Sequence, residues 1–288
     1  MGKSSIGNYL SLIKFSHTLF ALPFAVLGYF LAIEYSSNEF EVWLFLKVVL
    51  CMVFARNAAM AFNRYVDRDI DQANERTATV REIPKGIIKA RSALIFVGIN
   101  ALLFVLTTYF INTVCFYLSP IALLIILGYS YTKRFTFLCH LILGIGLSLA
   151  PIGAYLAVTG SFAWLPLYYS FAVIFWVAGF DIVYALQDDL FDKDMKLHSI
   201  PVFLGRKGSL MVSVLFHFAT AIFMLYAAFQ ADANVWYWSG TLIFLALLTY
   251  QHFLVKVNDL SKVNLAFFST NGIASLIFSI FAVLSFYL

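Results

Sequence analysis

The chain has 288 residues, of which 62% are hydrophobic and 12% charged, with a formal net charge of +4 and a mean hydropathy of +0.88. A water-soluble domain of this length has too little interior to hide that much apolar surface, so a soluble globular protein is excluded. The positive balance calls for no nucleic-acid partner, because the basic residues act first as markers of membrane topology.

In chain order, nine apolar runs are each long enough to cross a bilayer: 16–34, 42–66, 93–111, 114–132, 138–159, 163–187, 209–230, 234–255 and 264–288. The first is long and lacks a convincing small-residue cleavage site, so no cleaved leader is expected. Lys3 and Lys14 precede it. The segment after the second run carries Arg64, Arg68, Arg76, Arg81, Lys85, Lys89 and Arg91. Lys133 and Arg134 follow the fourth run, Lys193, Lys196, Arg206 and Lys207 the sixth, and Lys256 and Lys262 the eighth. The alternate loops, EYSSNEFE, INTV, TGSF and QADAN, hold no Lys or Arg. This bias puts the N-terminus in the cytoplasm and the C-terminus outside. The expected protein is therefore an all-α, multi-pass integral protein of the inner (cytoplasmic) membrane, one transmembrane domain over 1–288.

Two basic residues remain, both inside the second run. Lys47 lies near its outer end and can snorkel; Arg56 lies deep. Cys51, Cys115 and Cys139 fall in or beside the runs, odd in number and without C-x-x-C spacing, which reads as buried structural thiols. His17 and His140 stand alone and are expected to serve structural or polar contacts.

The second run ends in NRYVDRDID (63–71), with Asn63, Asp67 and Asp71 spaced by four. The sixth ends in DIVYALQDDLFDKD (181–194), with Asp188 and Asp192 spaced the same way. Steps of three and four keep side chains on one helical face. A lone pair of this kind is ordinarily a solvated helix end; two copies at the same end of two membrane helices can face each other across one cavity. Clustered carboxylates repel, and a hard divalent cation relieves that repulsion: Mg²⁺ takes one or two carboxylates per ion and fills its other positions with water and phosphate oxygens. The neighbouring Arg and Lys residues, Arg68 among them, suit the remainder of a diphosphate. Asp69, Asp189 and Asp194 lie off the main face and are expected to be mostly solvated. Arg56 precedes Asn63 by seven and Asp67 by eleven; Asp181 precedes Asp188 and Asp192 by the same steps. An ionisable group at that depth needs a partner, and the expected pair is Arg56 with Asp181.

NRYVDRDID resembles the N-x-x-x-D-x-x-x-D motif of the UbiA family of membrane prenyltransferases, and DIVYALQDDLFD resembles the family's second motif, D-x-x-Y-A-x-Q-D-x-x-x-D. YSYTKR (129–134) is similar to the family's Y-x-x-x-K-R segment, and the nine runs match its span count. The resemblance implies nine helices around a central cavity open sideways to lipid, and Mg²⁺-dependent transfer of a prenyl chain from its diphosphate to an acceptor that is usually aromatic. It implies that Asn63, Asp67, Asp71, Asp188 and Asp192 hold metal and diphosphate, with Lys14, Arg76, Tyr129 and Lys133 on the phosphates. NERTATVREIPKG (74–86) resembles the family's basic cap loop but departs from R-P-L-P-x-G, which weakens a clamp role for Arg81. FSHTLFALPFAVLG and ARNAAMAFNR resemble the quinone-pathway polyprenyltransferases near the 4-hydroxybenzoate enzymes; a naphthoate acceptor on the futalosine route to menaquinone stays open.

In this chemistry metal and cations stabilise the leaving diphosphate, and aromatic faces can stabilise the allylic cation. The 31 Phe and 16 Tyr suffice for that. Asp181, near Tyr184 and Gln187, is the candidate base or orienting group. Arg56 or Arg134 is the candidate fork for an acceptor carboxylate, with Tyr184 beside it. The rival from another class is a proton-coupled carrier, which would also show intramembrane Arg56 and Asp181. Against it, the acids gather at one membrane surface. Chain length of the prenyl donor, the acceptor and the oligomeric state are not encoded legibly.

Overall fold

The computed structural model describes residues 5–14 and 20–288, which form helices joined by turns; Lys3, His17 and the first residues of the run expected at 16–34 lie outside them. In chain order the helices are α1 (Ser5–Leu12), α2 (Leu22–Glu34), α3 (Val42–Val66), α4 (Arg68–Ala73), α5 (Glu75–Ala78), α6 (Ala90–Tyr109), α7 (Thr113–Thr132), α8 (Cys139–Thr159), α9 (Trp164–Ala185), α10 (Asp189–Asp194), α11 (Ile200–Gln230), α12 (Val235–Leu254) and, after a π-helical turn at Leu265–Thr270, α13 (Asn271–Leu284). Among the described residues, seven segments are long and apolar enough to cross a membrane: Val42–Val66, Ala90–Tyr109, Thr113–Thr132, Cys139–Thr159, Trp164–Asp194, Ile200–Gln230 and Leu265–Leu284. Two expected spans differ. Helix α2 has 13 described residues, about 20 Å at the helical rise, short of the roughly 30 Å hydrocarbon core. Helix α12 is long, but Ser239, Thr241, Thr249, Gln251 and His252 dilute its apolar character.

Several helix ends follow from single polar residues in the short loops. Asn112 accepts from the Cys115 N–H to start α7, Asn234 from Trp236 and Tyr237 to start α12, and Ser199 from Val202 to start α11. Helix α11 begins at Ile200, not near 209, and takes Arg206 and Lys207 into its first turns. Gly205 interrupts it with φ 66° and ψ 177°, a backbone conformation that side-chain-bearing residues rarely adopt.

Helix α9 is the centre of the bundle, packed between α8 and α11. In its apolar window 67% of residues are buried, against 22% in α3, which leaves α3 a broad face for lipid. Trp43, Leu124, Phe218 and Phe253 are among the large apolar side chains left outside. Lipid is as apolar as these residues, so close packing and internal hydrogen bonds hold the helices together. Gly28 of α2 lies on the backbone of Pro151 in α8, where a Cβ would sit 2.2 Å from the carbonyl oxygen. Trp176, Phe24, Phe244 and Phe278 fill one core among α2, α9, α12 and α13; a second joins α1, α3 and α6. Buried polar links cross the bundle: Tyr169 Oη to Tyr237 Oη at 2.8 Å, His217 Nδ1 to His252 Nε2 at 2.7 Å, and Trp176 Nε1 donating to Asn271 Oδ1 at 2.8 Å.

Candidate active site

A cavity of about 620 Å³ runs between α3, α6, α7, α8 and α9. Its walls are apolar along most of their length, with Ile126, Leu143, Ile152 and Val177 among them. Its polar end carries Asn63, Asp67, Arg76, Lys133, Asp188 and Asp192. The acidic motifs reach this end because each straddles a break in a membrane helix. Helix α3 stops at Val66, Asp67 is its C-cap, and α4 starts at Arg68. Helix α9 stops at Ala185, a single 3₁₀ turn covers Leu186–Asp188, and α10 follows. The chain thus turns over the cavity mouth at the first acid of each pair.

Every acid of the first motif has a cation from a different element. Lys133 Nζ lies 2.8 Å from Asp67 Oδ2, which also accepts from Asn63 Nδ2 at 3.0 Å. Arg81 pairs with Asp71 Oδ1. Asp67 and Asp71 are 2% and 3% exposed, and Asp67 Oδ1 and Asp71 Oδ2 accept no hydrogen bond. Two deeply buried carboxylate oxygens left this way are chemically suited to a hard cation. Across the cavity, Asp188 is held by Arg76 and accepts from Asn74 Nδ2 at 2.9 Å, so the loop after the first motif is latched to the second. Arg76 also lies 5.6 Å over the Tyr184 ring. Burial works to lower the Arg76 pKa, but its hydrogen bonds to Asp188 and Tyr184 outweigh that and raise it. Asp192 lines the cavity, half-buried, without a hydrogen bond or ion pair to the described residues. Among the described residues no three His, Cys, Asp or Glu side chains converge enough to hold one ion; the geometry offers at most one or two carboxylates per ion, which is what Mg²⁺ takes.

Tyr129, Tyr184, Asp181 and Arg56 also line the cavity, but the expected pair of Arg56 with Asp181 does not form. Arg56 donates to the carbonyls of Ile13 and Lys14, both at 3.0 Å, and closes the C-terminal end of α1. Asp181 Oδ2 instead lies 2.7 Å from His140 Nδ1, so His140 is not isolated. Arg68 is folded onto the Tyr65 ring at 4.6 Å and donates to the Tyr65 carbonyl, outside the cavity lining. Arg134 is held by Asp69 at 3.1 Å and by the Val66 carbonyl at 2.7 Å, at the rim. That contact lowers the Asp69 pKa and raises that of Arg134, so Asp69, though 65% exposed, has a partner. Asp189, expected to be mostly solvated, is instead largely buried, with Arg206 gripping both its oxygens at 2.6 and 3.0 Å. Asp194 is exposed as expected. Lys14 contributes its carbonyl to Arg56 and is not part of the lining.

Three further residues here carry no site signal of their own in the sequence motifs. Asn74 bridges the motifs, and only its place three positions after Asp71 hints at it. His140 partners Asp181; nothing local in the sequence links them. Arg64 was treated only as a topology marker. It is 8% exposed, lines the cavity beside Asn63, and its Nε has no partner. A buried guanidinium turned to a cavity is a seat for an oxyanion.

The UbiA prenyltransferase family matches residues 21–273. The 4-hydroxybenzoate octaprenyltransferase of Aliivibrio fischeri strain MJ11 is 30% identical over 233 residues, 80% of this chain and 79% of that protein. That of Nitrosomonas europaea is 30% identical over 237 residues, 80% of this chain and 78% of that protein. The apo structure of a UbiA homologue from Aeropyrum pernix K1 superposes with a TM-score of 0.84 at 29% identity, covering 93% of this chain and 97% of that one. A UbiA homologue from Archaeoglobus fulgidus bound to DMAPP and Mg²⁺ shares the fold, with a TM-score of 0.72 at 22% identity over 98% and 99% of the two chains. With two acid-bearing helix breaks facing one apolar cavity and these relatives along most of its length, the chain is a multi-pass membrane prenyltransferase and belongs to the UbiA prenyltransferase family.

Proposed function

We propose that this prenyltransferase carries a polyprenyl group from its diphosphate to an aromatic hydroxy acid in quinone biosynthesis, most simply 4-hydroxybenzoate, with Mg²⁺ as its metal. The chain acts as one domain over 1–288, crosses the inner membrane nine times and keeps its N-terminus in the cytoplasm, as the Lys and Arg bias of alternate loops supports. The observation that carries the reading is the polar end of the cavity, where Asp67 keeps a buried oxygen that accepts no hydrogen bond opposite Asp188 and Asp192, with Asp71 outside the lining and held by Arg81. Family membership removes the basis of the carrier reading.

Asn63, Asp67, Asp71, Asp188 and Asp192 would hold Mg²⁺, which when bound neutralises charge on the leaving diphosphate. Lys133, Arg76, Arg64 and Tyr129 stand where they can hold the same phosphates. Arg81 keeps Asp71 in place. The apolar length of the cavity takes the prenyl tail and excludes water from the allylic cation. The acceptor sits deeper, between Arg56, whose guanidinium serves both α1 and a carboxylate, and Asp181 beside Tyr184. Asp181 takes the proton that the ring loses. The test is incubation of membranes holding the protein with Mg²⁺, a polyprenyl diphosphate and a panel of aromatic acids, with products identified by mass. Prenylated 4-hydroxybenzoate supports the reading, a prenylated naphthoate moves the acceptor to the menaquinone route, and unchanged diphosphate with every acid overturns it.

A further inference from the structure

His140 lies in the first turn of α8 and is 3% exposed. Its two nitrogens meet different partners. Nδ1 lies 2.7 Å from Asp181 Oδ2, and Nε2 accepts the backbone N–H of Ile200 at 3.4 Å. A backbone N–H can only donate, so Nε2 must present its lone pair. The proton of a neutral imidazole is then on Nδ1, where it donates to the carboxylate. The second oxygen of Asp181 makes no hydrogen bond to the described residues, and the side chain lines the cavity 24% exposed. Arg56, which also lines the cavity, is bound to the carbonyls of Ile13 and Lys14 at the end of α1. The Asp181 carboxylate therefore has one fixed oxygen and one that faces the acceptor space.

We propose that His140 is a positioning residue for the transfer reaction: a neutral, Nδ1-protonated imidazole that anchors Asp181 Oδ2 so that Oδ1 points at the acceptor ring. This rests on the proposed prenylation of an aromatic acid. In that reaction the C1–O bond of the prenyl diphosphate breaks and its electron pair stays on the diphosphate. A π pair of the ring forms the new C–C bond to C1. The C–H pair of the attacked carbon returns to the ring as its proton passes to Asp181 Oδ1. His140 takes no part as a relay, because its outer nitrogen is already occupied by the Ile200 N–H. It holds the base still.

Two substitutions separate this from the alternatives. The amide of Asn overlays Nδ1 of an imidazole, so His140→Asn keeps the donor toward Asp181 and gives up the Ile200 contact. His140→Leu gives up both. The expected result is kcat within about threefold of the parent for Asn and at least about tenfold lower for Leu, with the KM for prenyl diphosphate unchanged in both. Loss of activity in Asn equal to that in Leu would make the imidazole a proton carrier and overturn the assignment. Full activity in Leu would reduce His140 to a structural contact. A second readout needs no turnover: ¹⁵N NMR of histidine-labelled protein, with the His140 signals identified by their loss in His140→Asn. A neutral imidazole protonated on Nδ1 is expected; an imidazolium or the Nε2–H form overturns the proposal. If the parent transfers no prenyl group to any acid, the failure belongs to the proposed function, and the nitrogen spectrum still decides the tautomer.

Discussion

The two acidic helix breaks repeat one layout in sequence and differ in structure. Asp67 and Asp71 lie almost fully buried, each with one oxygen paired to Lys133 or Arg81 and one that accepts no hydrogen bond, although Arg134 stands 3.8 Å from that of Asp67. Asp188 has both oxygens occupied by Arg76 and Asn74, with 19% of its side chain exposed, while the Asp192 carboxylate makes no hydrogen bond or ion pair to the described residues. The deep residues diverge too: Arg56 closes a helix, and Asp181 holds an imidazole. The first break buries its acids against Lys133 and Arg81; the second holds Asn74 and Arg76 of the following loop through Asp188. Burial explains the contrast, since a carboxylate removed from water must be compensated in place, whereas one at the mouth can exchange partners with solvent or ligand.

The largest expected effect is that of Asp67→Asn. It removes charge from the rigid side and leaves Lys133 facing a neutral amide, so turnover at saturating Mg²⁺ should fall by at least about 10²-fold while the protein remains folded. Asp188→Asn should also be severely impaired but less so, and product mass spectrometry on the two variants side by side ranks them. Equal, near-parental rates would end the two-motif site.

Next is Arg64→Met, which keeps the stem and removes the buried guanidinium. The KM for prenyl diphosphate should rise about tenfold with a smaller change in kcat, since one charge-assisted contact of roughly 1.5–3 kcal/mol is at stake. An unchanged KM would show that Arg64 only packs.

Arg76→Gln probes the latch. Protection of residues 74–86 from hydrogen exchange should fall in the resting protein and recover when Mg²⁺ and a prenyl diphosphate are added; protection equal to the parent without ligand would show that Asn74 and the Arg81–Asp71 pair hold the loop without Arg76.

A smaller change is expected from Arg56→Lys. Lys retains charge and loses the planar fork that spans the carbonyls of Ile13 and Lys14. The acceptor KM should rise several-fold, more than the KM for prenyl diphosphate. A drop in thermal stability with both KM values intact would confine Arg56 to supporting α1.

The smallest effect belongs to the exposed pair at the rim. The Arg134 guanidinium depresses the Asp69 pKa. Whatever stability the pair adds is present above the ordinary Asp pKa of about 3.9 and is lost as pH falls through the depressed native value. Because Asp69 is 65% exposed, Asp69→Asn should change stability at neutral pH by less than about 0.5 kcal/mol, and high salt should erase the difference. A larger loss in a thermal melt would mean that Arg134 depends on Asp69 to hold the Val66 carbonyl.

Much of this protein was decided locally and could be read before any helix was placed. Apolar run length and the sidedness of Lys and Arg are properties of single segments, so the spans at 42–66, 114–132 and 138–159 coincide with α3, α7 and α8 to within a residue. The acid spacing singled out Asn63, Asp67, Asp188 and Asp192, which do line the polar end, but a continuous helix period does not carry them there, since each motif straddles a helix break and Asp71 falls outside the lining. Local signals also mislead where charge is counted without contacts: Arg206 and Lys207 looked like loop, yet Ser199 starts a helix ahead of them. Which groups meet was settled only by tertiary structure. Equal offsets put Arg56 and Asp181 at equal depth on their own helices, but the rotation of each helix about its axis is set by packing against others. That rotation turns Arg56 to a carbonyl 43 residues away and Asp181 to an imidazole 41 residues away, and no pattern within one segment carries that information.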